Sequence, residues 1–333
     1  MHTRSGLNDS RRFCVAPMME CTDRHDRFLL RLITRRALLY TEMVTSNAIC
    51  NGDREHLLGF DPFEHPVALQ VGGSDPRRMA ECARLAESFG YDEINMNVGC
   101  PSDRVQSGKF GACLMAEPEL VADCVDAMRT SANIPVTVKT RIGINRGGSS
   151  DQLHALVNAV ATAGCDTFIV HARRAWLNGL SPKQNREIPP LNYEMVYELK
   201  RSRPELTVVI NGGIKSLDDA VTHLKYTDGV MVGREAYSNP YFLSQVDSRL
   251  FGSQEPPRAR EEVLEEYLRY SDRQMKEGCR PGLLFRHLTG LYQGLPGARQ
   301  WRRSLSEFGR CSDTGLESLR QARPRPRSEA EMI

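Results

Sequence analysis

Between residues 13 and 232, eight short apolar runs each lead into a longer stretch, several with helical periodicity, and this alternation constrains the chain more than any other feature. The runs are Phe13–Met18, Ala37–Thr41, Val67–Val71, Glu93–Asn97, Val136–Lys139, Thr167–His171, Thr207–Asn211 and Gly229–Val232. Amphipathic segments lie between them at Asp75–Phe89, Glu117–Thr130, Asp151–Ala163, Asn192–Arg201 and Leu217–Lys225. Ser74-Asp75-Pro76 and Ser216 supply helix-start chemistry. The pattern predicts an α/β fold, a (β/α)8 TIM barrel. A doubly wound open sheet is the alternative, and no GxGxxG opens the first βα turn to support it.

In such a barrel, ligand-handling residues belong where strands end. The ends read Pro17-Met18-Met19, Gln70, Asn97, Lys139, His171, Asn211-Gly212-Gly213 and Gly233-Arg234. Singly, each has an ordinary explanation: Lys139 as a solvated strand end, His171 as a bonded core histidine, the glycines as turns. Together at one rim they form a ligand site. The last two stand at the phosphate-binding position of the fold, where glycine backbone and Arg234 suit an anion. With Lys139, His171, Gln70 and a Pro-Met-Met floor, the set suits flavin mononucleotide (FMN). Lys139 would balance negative charge on the reduced flavin, and Gln70 would bond its edge.

After the fourth run, Gly99 opens a polar loop carrying Cys100 beside Pro101, with Gly108 and Gly111 further on. A lone cysteine is usually a small buried hydrophobe. Here the rigid flank and the strand-end position favour a functional thiol. The ten cysteines include no CxxC pair, so neither zinc nor a redox pair is expected. Free thiols, a polar N-terminus and no apolar run of membrane-spanning length predict a cytoplasmic protein without membrane contact.

Formal net charge is only +2, so a nucleic-acid surface has to come from local clustering. Beyond the barrel pattern, a linker at 251–257 precedes helical segments at Arg260–Lys276, Leu283–Leu291 and from Ala298. The stretch from Arg280 to Arg303 holds five arginines and no acid. Arg299, Arg302 and Arg303 fall on one helix face beside Trp301, which is either a solvated face or a phosphate-backbone contact. The expected division is an N-terminal extension 1–12, a catalytic barrel 13–243, a small all-helical C-terminal domain 244–310 and a poorly ordered tail 311–333.

The motifs Ala16-Pro17-Met18-Met19, Thr22-Asp23-Arg24-His25 and Asn97-Val98-Gly99-Cys100-Pro101-Ser102 resemble those of the tRNA-dihydrouridine synthases. The A-type subgroup is suggested by His171-Ala172-Arg173, Gly179 to Lys183, Asn185 to Pro190 and Gly297 to Arg303. The resemblance spans roughly residues 13–308. It implies an oxidoreductase, acting as a monomer, that reduces D-loop uridines 20 and 20a of tRNA to 5,6-dihydrouridine. Reduced FMN would deliver hydride to carbon 6, and NADPH would re-reduce the flavin. Carried over by motif, Pro17, Met18, Met19, Gln70, Lys139, His171, Asn211, Gly212, Gly213, Gly233 and Arg234 contact the flavin. Cys100 is the proton donor to carbon 5, a task suited to a thiol that is protonated at neutral pH. Asn97 touches the substrate base, and Lys183, Arg186, Arg299 and Arg302 grip tRNA.

Glu20-Cys21 and Asp26 depart from the subgroup pattern, as do the loop Asn145 to Ser150 and everything past Phe308. Three rivals share parts of this pattern; one, a flavin-free phosphate-sugar isomerase, has no use for the Pro-Met-Met floor. A flavin barrel acting on a free small molecule has no use for the arginine face, and a non-catalytic tRNA-binding barrel would purify colourless.

Overall fold

A computed structural model describes residues 4–145, 150–308 and 316–324. The departures at 146–149, 309–315 and 325–333 lie outside the described residues. Eight parallel strands close into a barrel: β1 Phe13–Val15, β2 Leu38–Thr45, β3 Val67–Gly72, β4 Glu93–Val98, β5 Val136–Arg141, β6 Thr167–His171, β7 Thr207–Asn211 and β8 Gly229–Val232. Closure comes from β1 against β8, with Cys14 opposite Met231.

Three strand ends differ from the sequence expectation by two residues or more. β1 stops at Val15; the Ala16 N–H still donates to Val232 O at 2.8 Å, and Pro17, which has no N–H, follows. Pro17-Met18-Met19 is therefore loop. β2 continues to Thr45 and β5 to Arg141, because Met43–Thr45 pair with β3 and Thr140–Arg141 with β6.

The helices between strands follow their caps. Asp75 accepts from Arg77 and Arg78 N–H at the start of Pro76–Phe89, which ends at left-handed Gly90. Ser216 and Asp219 form a capping box on Leu217–His223.

Inside the barrel, β4 alternates between two faces of different character. Apolar Ile94, Met96 and Val98 face outward toward the helix layer, while Glu93, Asn95 and Asn97 point inward. Apolar interior is supplied by Cys14, Ala16, Leu38, Tyr40, Ala68, Ile169, Val209 and Met231, with Leu7 of the helix Arg4–Ser10 in the same cluster.

The chain divides into two compact units, Met1–Glu20 with Arg36–Gly233, and Cys21–Arg35 with Arg234–Ile333. This differs from the expected boundary at 243/244. Pro240 and Leu243 are buried in the second unit, and the helix Arg24–Ile33, which follows β1, packs with Arg260–Lys276 of that unit. The helical unit has its own core, with Tyr267, Leu288, Tyr292 and Trp301 fully or almost fully buried. Its last described helix, Leu316–Ala322, lies within the expected tail. There Leu319 is buried and Arg320 Nε donates to Glu265 at 2.9 Å.

No helix among the described residues is long and apolar enough to cross a membrane.

Candidate active site

Cys100 stands two residues beyond β4 and is half-buried. Its peptide is held from several sides. Asn97 Oδ1 accepts from the N–H groups of Gly99 and Cys100 at 3.1 and 3.0 Å. The Cys100 carbonyl accepts from Ala112 N at 2.9 Å. Gly111, at φ +78°, lies so close that a Cβ there would stand 2.6 Å from that carbonyl oxygen. The thiol itself is 3.6 Å from Ser102 Oγ.

Asn97 also reaches sideways, donating to Gln70 Oε1 at 2.9 Å, so the two amides form one bonded pair. Lys139 lies opposite Asn97 in the β4–β5 register. Its Nζ donates to Asn211 Oδ1 at 3.2 Å, and Asn211 Nδ2 donates to Met231 O at 2.7 Å. No carboxylate among the described residues pairs with Lys139. Desolvation, with the Arg141 charge nearby, lowers its pKa to about 7.

Gly212 and Gly213 follow β7 with φ of +114° and +75°. A Cβ on Gly212 would meet the His171 ring at 2.6 Å, and one on Gly213 would meet Leu191 and the Tyr193 hydroxyl. Tyr193 donates to Gly212 O at 3.0 Å and pins the turn from behind. At β8, a Cβ on Gly233 would lie 3.5 Å from Met18 Sδ. Met18 is half-buried and Met19 is 57% exposed.

The barrel unit thus connects Met18, Gln70, Asn97, Cys100, Lys139, His171, Asn211, Gly212, Gly213 and Gly233 at one rim. Lys183 and Arg186 are exposed in the loop after β6 of the same unit. Arg234 opens the helix Arg234–Ser238 of the helical unit and is exposed. Arg299 and Arg302 are exposed on Ala298–Phe308, whereas Trp301 between them is fully buried and donates its indole N–H to Leu288 O at 2.8 Å.

A lysine held by an amide, with no carboxylate partner among the described residues, and a glycine turn at positive φ fit a phosphorylated, anion-forming cofactor. The dihydrouridine synthase (Dus) profile matches residues 14–325. The chain belongs to the dihydrouridine synthase family. It is 56% identical over 323 residues to a Shewanella oneidensis protein named tRNA-dihydrouridine(20/20a) synthase, covering 96% of each chain. Proteins with the same name from Vibrio cholerae (54% over 317 residues, 95% of this chain and 97% of that one) and Escherichia coli K12 (55% over 323 residues, 97% and 93%) are similar to it.

Within this dihydrouridine synthase, sequence reasoning missed three residues. Arg141, buried at the end of β5, donates from Nε to Gly99 O at 2.9 Å and from Nη1 to Arg174 O and Asn185 O at 3.0 Å each. Burial pulls its pKa down to about 10, against the opposing pull of Cys100, with Arg186 and Arg173 lowering it further. Gln106 Nε2 donates to Pro101 O and Leu177 O, both at 3.0 Å. Both side chains bind the Cys100 loop to the loop after β6. Asn185 braces that second loop: Oδ1 accepts from Trp176 N at 2.8 Å, and Nδ2 donates to Trp176 O at 2.9 Å. The usable signal was spacing: Arg141 is two residues past Lys139, on the same face of the strand.

Proposed function

We propose that this protein reduces uridines 20 and 20a of the tRNA D-loop to 5,6-dihydrouridine, with FMN as bound cofactor and NADPH as reductant. The observation that carries the reading is the juxtaposition of Lys139, which donates to the Asn211 amide, with Asn97, its β4–β5 register partner and the residue that clamps the Cys100 peptide. The names of the relatives support the uridine positions.

When bound, reduced flavin supplies the hydride for carbon 6 of the uracil ring. Gly212, Gly213 and Gly233, with Arg234 next in the chain, hold the cofactor phosphate; Pro17, Met18, Met19 and His171 line the ring site. Gln70 bonds the ring edge, and Lys139, held by Asn211, balances negative charge there. Cys100 gives its thiol proton to carbon 5 from the other side of the base, and the fixed peptide keeps that thiol on target. Asn97 positions Cys100 and keeps one amide hydrogen for the base. Lys183, Arg186, Arg299 and Arg302 pair with phosphates, and the uridine flips out of its stack to reach the site. The protein acts as a cytoplasmic monomer.

The test is mass mapping of tRNA dihydrouridine in cells lacking the protein, with and without restored expression. Loss at 20 and 20a alone, regained on restoration, is expected. Full retention in a strain without a second such enzyme would overturn the reading.

A further inference from the structure

The Gln70–Asn97 pair is the top of a longer chain of bonds through the barrel interior. Glu93 lies at its foot, fully buried, with both carboxylate oxygens occupied. Arg11 donates to Oε2 from Nε at 2.9 Å and from Nη2 at 2.7 Å, and Tyr40 donates to Oε1 at 2.6 Å. Thr137 Oγ1 donates to the same Oε1 at 2.6 Å. Asn95 Nδ2 donates to Thr137 Oγ1 at 2.9 Å, and Gln70 Nε2 donates to Asn95 Oδ1 at 2.8 Å. Asn97 Nδ2 then donates to Gln70 Oε1, and Asn97 Oδ1 accepts from the Gly99 and Cys100 backbone.

Both ends of this chain fix its direction. The Glu93 carboxylate accepts from a guanidinium and a phenol, and backbone N–H groups only donate. Every amide between them therefore has one orientation. Reversing any one would set donor against donor or acceptor against acceptor at two or more of these bonds.

We propose that Glu93, Thr137 and Asn95 are positioning residues, fixing which way the Gln70 amide faces and anchoring the Asn97 clamp on Cys100. The proposal rests on the reading that Cys100 protonates the base and Gln70 faces the flavin. Glu93, Asn95 and Thr137 are all fully buried in the barrel interior, so they act through the two amides and touch no substrate.

The test uses full-length, flavin-loaded Thr137→Val, which keeps shape but neither donates to Glu93 nor accepts from Asn95. Thr137→Ser restores the hydroxyl. Readouts are the flavin absorbance and midpoint potential, the rate of flavin reduction by NADPH, and the single-turnover rate of uridine reduction in tRNA with its pH profile. The expected result is a shifted flavin spectrum or potential and a uridine-reduction rate about tenfold or more lower. Reduction by NADPH should be far less affected, and Ser should recover the wild-type values. Wild-type spectrum, potential and uridine rate in Thr137→Val would overturn the proposal. If Thr137→Val does not fold, Asn95→Ala cuts the chain one bond higher and is read by the same criteria. Cys100→Ala run in parallel separates the two ideas. An inactive Cys100→Ala beside a normal Thr137→Val removes only the chain's role, whereas a fully active Cys100→Ala removes the proton-donor reading itself.

Discussion

Lys139 Nζ donates to Asn211 Oδ1 at 3.2 Å, so the cation of the site is held by an amide and has no carboxylate neutralising it among the described residues. An anionic ligand beside it would raise its lowered pKa and hold it in the charged form. Lys139→Met is expected to make the midpoint potential of bound flavin more negative by on the order of 30 mV, a tenfold change for a two-electron couple. Equilibrium reductive titration measures it; an unmoved potential would place Lys139 away from the flavin ring.

Cys100→Ala should leave NADPH oxidation by the bound flavin intact while dihydrouridine formation falls by about 10²–10⁴-fold, the usual range for a lost general acid. Product quantification by mass spectrometry beside an absorbance assay for NADPH separates the two half-reactions.

Arg141 satisfies three backbone carbonyls from two loops. Arg141→Met leaves those acceptors without their donor and should cost about 3 kcal/mol in urea unfolding. Arg141→Lys, a point charge without the planar fork, should recover only part of it. Equal stability for all three proteins would contradict the bracing role.

Arg299 and Arg302 are exposed, and Arg302 donates to Gln293 Oε1 at 3.2 Å, whereas Arg303 pairs with Glu307 at 2.9 Å. Replacing Arg299 and Arg302 by alanine should reduce the slope of log affinity for tRNA against log salt by about 1–2, and Arg303→Ala should change it less. Binding titrations across a salt series decide between a phosphate contact and a merely solvated face.

His25 is buried in the helical unit, 2.6 Å from Tyr270 Oη and 3.5 Å from Cys279 Sγ, and desolvation lowers its pKa to about 4. An unfolded histidine titrates near 6.5, so between these values the unfolded chain binds more protons. Stability should fall as pH drops from about 6.5 to about 4, by about 3 kcal/mol from this residue. Urea midpoints for wild type and His25→Gln across that window measure it; parallel pH curves would exclude His25 as the source.

Helices such as Pro76–Phe89 and Leu217–His223 were legible because cap, periodicity and stop signals agree over a short span. Arg24–Ile33 was not, since its Arg27 and Arg31 look like solvent-facing charges. In the fold both are buried, donating to Thr22 O and Thr34 O, and the helix packs against sequence more than two hundred residues away. Among site residues, Cys100, Lys139 and the glycine turn stood out as chemistry at strand ends. Glu93, Asn95 and Thr137 did not, because alternation in a strand separates two faces without saying which is inside. In β4 the polar face is the inner one, and only the closed barrel reveals it.

The helix Arg24–Ile33 leaves the barrel unit after β1 and the chain returns to it before β2. A gene fragment ending at Gly233 would carry this helix without Tyr270, on whose ring Phe28 stacks at a centroid distance of 3.9 Å, and without Asp247, which accepts from Thr34 Oγ1 at 2.6 Å. No single cut yields an intact half. The two units are therefore not beads on a string, and moving the helical one into another gene would mean moving the first crossover together with the C-terminal third.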